Sequence, residues 1–169
     1  MSDYTIDVIR TRYSLVPRTL IFIRKGEHYL LIDKKKKDSY GYGKLNGVGG
    51  HIEKGEDPYG SARREIFEET GLKVDHLNLA AILFIDTEES PGIEVFMFGA
   101  DFVGGELRHS NEGNLVWMKL DEIRSSSQVL EDVPLLIEIC NHHKISKKPT
   151  ILKYVYDEND KLRIDIIKE

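Results

Sequence analysis

The chain has a single cysteine, Cys140, in 169 residues, so it cannot close an internal disulfide. Such thiol poverty suits a reducing compartment, and a cytoplasmic location is expected. Long apolar runs are missing as well. A stretch such as 77–85 falls well short of the roughly 20 residues that cross a bilayer, so no membrane span is expected. No basic segment followed by an apolar run opens the sequence, and no secretory leader is expected. Excess positive charge is also absent. The net charge of −5 argues against a protein that coats a nucleic-acid polymer, which needs a broad basic surface. It leaves room for a small phosphorylated ligand whose charge metal ions cancel. No P-loop of the form G-x-x-x-x-G-K-[ST] occurs, which excludes a Walker-type ATPase. Repeats, low-complexity segments and flexible linkers are lacking, and the length fits one domain over 1–169.

What is present is a mixed pattern of strands and helices. Apolar runs at 19–23 and 29–32 flank the turn Lys25-Gly26-Glu27 and predict a hairpin. Residues 57–70 predict a helix with Asp57 as N-cap, Pro58 at the first position and Gly71 closing the end. Tyr59, Ala62 and Ile66 recur at helical spacing and are expected to face the core. Strands are expected at 77–86, 93–102 and 115–120, with a turn at Ser90-Pro91-Gly92 and a helical turn at 121–125. An amphipathic helix is expected at 133–143, with Cys140 as a buried structural thiol. A final hairpin pairs 151–156 with 162–167, turning at Glu158-Asn159-Asp160. The irregular order favours an α+β fold with a mixed sheet between helices.

The helix at 57–70 is poorly built as a helix alone. Glu65, Glu68 and Glu69 stand at i, i+3 and i+4 on one face, where like charges cost about 0.2–0.5 kcal/mol per pair. Glu68 and Glu69 fall in the last turn, where the helix dipole disfavours negative charge. Gly60 costs roughly 1 kcal/mol more relative to alanine. Glu53 and Glu56 lie just upstream, so five carboxylates can converge on one volume. Either this is a solvated acidic face, or the cluster holds hard cations such as Mg²⁺, Mn²⁺ or Ca²⁺. Gly47, Gly49 and Gly50 add backbone that a metal or phosphate can approach closely.

The stretch Gly50-His51-Ile52-Glu53-Lys54-Gly55-Glu56, continuing to Arg64-Glu65-Ile66-Phe67-Glu68-Glu69-Thr70-Gly71-Leu72, resembles the Nudix box, G-x5-E-x7-R-E-U-x-E-E-x-G-U with U a bulky aliphatic residue. Every defined position is met. The resemblance implies an α/β/α Nudix sandwich whose box at 50–72 forms a loop–helix–loop. It implies Glu68 and Glu69 as principal ligands of Mg²⁺ (Mn²⁺ as a substitute), Glu65 as ligand or base, and support from Glu56 and the Gly49 carbonyl. Arg64 would pair with a carboxylate and hold the cluster. Glu112, in the loop before Trp117, would supply a further acidic ligand or base. The reaction implied is hydrolysis of a phosphoanhydride by water, with metal ions offsetting the phosphate charge.

The segments 31–50 and 110–117, with a C-terminal hairpin at about 150–168, are similar to those of MutT-like members that sanitise oxidised purine triphosphates such as 8-oxo-dGTP. By that resemblance Asn46 would hydrogen-bond the base and Tyr40 would stack on it or wall the pocket. Lys44 counts among the substrate contacts, and Glu131 and Asp132 would read the purine edge. Val129 departs from relatives that carry an aromatic residue over the base. The basic run at 34–37 would draw in triphosphate or simply end a strand in solvent. ADP-ribose, sugar nucleotides and dinucleoside polyphosphates are the alternative substrates. The run 84–88 lacks the proline or tyrosine that flags those subgroups. A non-catalytic nucleotide-binding domain is a further alternative, although every box carboxylate is kept. The expected partner is a small nucleotide, handled by a monomer or homodimer.

Overall fold

A computed structural model describes residues 12–35, 42–87, 91–108, 113–158 and 161–167. Its strands are β1 (Leu15–Lys25), β2 (His28–Lys34), β3 (Leu45–Asn46), β4 (Lys73–Ile85), β5 (Gly92–Gly104), β6 (Gly113–Lys119), β7 (Thr150–Tyr156) and β8 (Leu162–Ile167). The helices are α1 (Pro58–Thr70), α2 (Leu120–Ser125) and α3 (Val133–Ser146). All eight strands join one sheet, in the order β3-β2-β1-β5-β4-β7-β8, with β6 on the outer side of β2. The pairs β1–β5 and β4–β7 are parallel and the others antiparallel, which makes the sheet mixed, as expected.

Each face of the sheet buries its own apolar cluster. On one side Ala62 and Ile66 of α1 meet Ile21, Ile23, Leu30 and Phe98. On the other, Leu136, Ile137 and Cys140 of α3 meet Phe22, Leu31, Met97 and Leu152. Strand alternation sorts these residues, since Ile21 and Ile23 belong to one face and Phe22 to the other. The result is the expected three-layer α/β/α sandwich.

One irregularity positions the site. β1 and β2 pair only from Ile23↔Leu30 to Lys25↔His28 and then part. The segment 45–51 fills the gap, pairing with β2 at Ile32↔Asn46 and bridging to β1 at Ile21↔Val48 and Arg18↔His51. The box thus enters between two central strands.

Most elements run longer than their sequence patterns, and three expectations are adjusted. Leu120 opens α2 instead of ending β6. Tyr59 stays 40% exposed, because it touches the core only edge-on, against Phe98 at 4.9 Å between ring centroids. β3, two residues long, was not anticipated. The turn residues Ser90, Asn159 and Asp160 lie outside the described residues.

Candidate active site

α1 begins and ends as its sequence dictates. The Asp57 carboxylate accepts from the Tyr59 and Gly60 N–H groups, and Gly71, in the left-handed region at φ 70°, donates to the Phe67 carbonyl. This fixes the rotation of the helix and sends its glutamates in different directions. Glu65 and Glu69 turn inward, 9% and 3% exposed, whereas Glu68 faces outward.

The two inward carboxylates lie against glycine backbone. Gly49 N–H donates to Glu69 Oε2 at 3.0 Å, and Gly49 has φ 146° with Thr19 O packed where a Cβ would stand. A Cβ on Gly50 would come within 2.5 Å of Glu65 Oε1. Gly50 therefore makes room for the Glu65 carboxylate, and Gly49 for the close approach of the β1 backbone.

Arg64 organises the remainder. Its Nε and Nη2 donate to the two oxygens of Glu56 at 2.7 and 2.9 Å, a bidentate pair. Nη1 donates to Glu65 at 2.8 Å and to Glu68 at 3.1 Å, and Nη2 also reaches the His51 carbonyl at 3.0 Å. The guanidinium, helped by the Glu53 N–H, holds the Glu56 carboxyl down to about 2. These carboxylates raise the pKa of Arg64 in return.

Convergence is narrower than five carboxylates. The Glu53 side chain stays exposed, and among the described residues no three acidic, imidazole or thiol groups stand at metal-ligand spacing. Arg64 is threaded between Glu56, Glu65 and Glu68 instead. Even so, one guanidinium meets Glu56, Glu65 and Glu68, so negative charge is in excess. All the donors are hard oxygens, a set that fits a small divalent cation.

The residues expected to meet the nucleotide are distributed differently. Leu45 pairs with a distant segment: its N–H donates to the Gln128 carbonyl, Leu130 N–H donates to the Leu45 carbonyl, and Leu45 bridges Val129. That ladder brings the next residues on each side, Asn46 and the Glu131–Asp132 pair, into one neighbourhood. Asn46 spends its carbonyl oxygen on the Gly47 N–H at 2.7 Å, which leaves its amide donors as the group it offers. Lys44 donates to the Ser127 carbonyl and braces the same ladder. Glu131 is exposed. Asp132 is buried, accepts from the Tyr154 hydroxyl at 2.8 Å on Oδ2, and among the described residues has no hydrogen-bond partner on its buried Oδ1. Burial pushes its carboxyl pKa up.

Tyr40 and Glu112 lie outside the described residues. A cavity of about 540 Å³, lined by Asp33, Leu45, Asn114, Val116, Glu122 and Gln128, opens beside β6 and holds none of the box carboxylates. Lys35, from the basic run, donates to Asn114.

Two polar residues of this region escaped the sequence reading. Tyr154 holds Asp132 from another strand, a pairing with no local signal. Arg18 sits in β1 on the face of Leu20 and Phe22, and among the described residues its Nε is buried without a hydrogen-bond partner. An arginine two residues before the apolar alternation of Leu20 and Phe22, on the same strand face, was the available signal.

Comparison with known proteins gives the family. The NUDIX domain profile matches residues 15–137. An oxidized purine nucleoside triphosphate hydrolase of Mus musculus is 34% identical over 149 residues, covering 84% of this chain and 94% of that protein. A protein of the same description from Danio rerio is 32% identical, covering 85% and 96%. The crystal structure of a MutT protein from Bacillus halodurans superposes with a TM-score of 0.67 at 25% identity, covering 89% of this chain and 98% of that one. Box, fold and similarity over most of both chains concur, and the chain belongs to the Nudix family of hydrolases acting on phosphoanhydride bonds.

Proposed function

We propose that the protein hydrolyses a nucleoside triphosphate to its monophosphate and pyrophosphate, with an oxidised purine nucleotide such as 8-oxo-dGTP as preferred substrate. The observation that carries this reading is the pair of inward glutamates, Glu65 and Glu69, laid on the Gly49–Gly50 backbone and tied through Arg64 to Glu56 and Glu68. Similarity to the mouse and zebrafish hydrolases along most of both chains supports the choice of substrate.

Nudix hydrolases generally use divalent metal ions, and here Mg²⁺, with Mn²⁺ as a substitute, is the proposed cofactor. Glu68 and Glu69 would be its principal ligands, with Glu65, Glu56 and the Gly49 carbonyl completing the oxygen set. When bound, the ion offsets phosphate charge and acidifies water. Arg64 keeps Glu56 ionised and the carboxylates in register. Glu65 or Glu112 takes the proton from the attacking water. Asn46 offers its amide donors to the base, and Asp132, buried and held by Tyr154, reads the purine edge. Glu131, Lys44 and Tyr40 complete the proposed substrate contacts. No helix among the described residues is long and apolar enough to cross a membrane, and a cytoplasmic setting is proposed.

The test is a side-by-side assay of 8-oxo-dGTP, the common dNTPs and ADP-ribose with Mg²⁺, with products identified by chromatography. Conversion of 8-oxo-dGTP to monophosphate and pyrophosphate well ahead of dGTP supports the reading. Preference for ADP-ribose, or no turnover, overturns it.

A further inference from the structure

β1 pairs with β5 without a break from Leu15↔Gly92 to Arg24↔Asp101, so its side chains alternate regularly. Ile21 and Ile23 face α1, and Leu20 and Phe22 face α3. The period of two assigns Arg18 to the α3 face, opposite the face on which α1 packs. There Val95 lies beside it, followed across the sheet by Leu83 and Leu152, all covered by the α3-side cluster. One step along the strands on the same face, Ile93 and Ile85 are only half-buried, in register with Tyr154. Tyr154 in turn holds Asp132. Arg18 and the Tyr154–Asp132 pair thus stand at opposite ends of an apolar floor, three strand spacings or about 14 Å apart between backbones.

The Arg18 guanidinium is unusual in this setting. Among the described residues its Nε is buried with no hydrogen-bond partner, and burial pushes its pKa downward with no described carboxylate offsetting it. A buried donor left unmet costs about 1–3 kcal/mol, and more when charged. A fold keeps such a group where a ligand supplies the acceptors. A flat heterocycle on Ile85 and Ile93, with polar groups at both edges, matches the usual plan of a small-ligand site.

We propose that Arg18 is a base-reading residue: its guanidinium takes a carbonyl oxygen on the edge of the bound base that faces away from Asp132. This rests on the nucleotide-hydrolase reading above. The box carboxylates belong to α1 on the other face of the sheet, so the partner of Arg18 is the base and not the phosphates. The guanidinium fork offers only donors. It pairs with a keto edge, as arginine does with guanine O6 and N7, and opposes the amino edge of an adenine. The site therefore selects oxo-purines over amino-purines.

The test uses the full chain and two variants, Arg18→Gln and Arg18→Lys, with thermal melting to verify folding. Calorimetric binding of 8-oxo-dGMP and dAMP without metal gives a readout independent of turnover, and kcat and KM on 8-oxo-dGTP and dATP follow. The expected result is an approximately tenfold or greater loss of 8-oxo-dGMP affinity in Arg18→Gln, little change for dAMP, and only partial recovery in Arg18→Lys. On the triphosphates the loss should fall on KM rather than kcat. An equal loss for both bases, or unchanged binding in both variants, overturns the assignment. Wild-type protein that hydrolyses no nucleoside triphosphate, yet loses oxo-purine binding on Arg18 substitution, sinks the functional reading and leaves this one standing.

Discussion

Arg64 satisfies three carboxylates and a backbone carbonyl with a single planar group, which a lysine ammonium could not do in the same geometry. Within that group Glu68 is the outward member, so its replacement tests chemistry with little effect on packing. Glu68→Gln is expected to lower kcat by about 100-fold or more while the melting temperature stays within a few degrees of wild type. Wild-type turnover in that variant would remove Glu68 from the metal site. Glu56 gives a pH signature. Its carboxyl lies at about 2 in the fold, below the value of about 4.3 for a free glutamate. Its pairing therefore stabilises the fold fully above the free value and is lost as pH falls towards 2. Urea melts in chelated buffer should show wild type ahead of Glu56→Gln at pH 7 and pH 5, with the gap closing at pH 3 and below. A gap independent of pH would contradict the ion pair.

Two glycines of the box segment make opposite demands on α1. Gly60 has ordinary helical surroundings, and a Cβ there would meet the Asp57 carboxylate at a tolerable 3.4 Å. Gly60→Ala should raise stability by up to about 1 kcal/mol. Gly71 has φ 70°, and a Cβ would fall 2.6 Å from the Arg108 side chain. Gly71→Ala should cost about 1–2 kcal/mol in backbone strain alone, and both shifts are measurable by denaturant unfolding. These positions also show what the sequence makes legible. Asp57, Pro58 and Gly71 are local signals, and α1 starts and stops where they place it. The same holds for the box glutamates, whose spacing is fixed along one helix. β3 could not be seen, because two residues carry no periodicity and its second partner, at 128–130 beyond β2, is remote in sequence. Asp132–Tyr154 is invisible for the same reason. Tyr59 misled because helical spacing gives the direction of a side chain but not how far the neighbouring strand extends beneath it.

Across the whole molecule, the sandwich gathers its polar work at the seam where β1 and β2 part. The segment 45–51 carries glycine backbone against the α1 carboxylates, and the ladder through Leu45 ties it to the start of α3. Both helical layers thus meet one loop. The bulk of the core needs no such help, since Phe22, Met97, Leu136 and Leu152 close around Cys140, whose thiol burial pushes up to about 12. A thiol so placed reacts only from opened states, so labelling of Cys140 reports unfolding of the α3 layer rather than surface chemistry.

Arg64 has one more consequence. Because a permanent positive charge is already built in among Glu56, Glu65 and Glu68, the acidic cluster does not depend on an added ion to keep from flying apart. Architecture and reactivity are thereby uncoupled: stripping the protein with EDTA should silence it while its melting temperature moves by no more than a few degrees, and restoring Mg²⁺ should revive it without a refolding lag. An enzyme wired this way can be purified, stored and loaded with substrate in a dormant form, then started at a chosen instant by mixing in the ion.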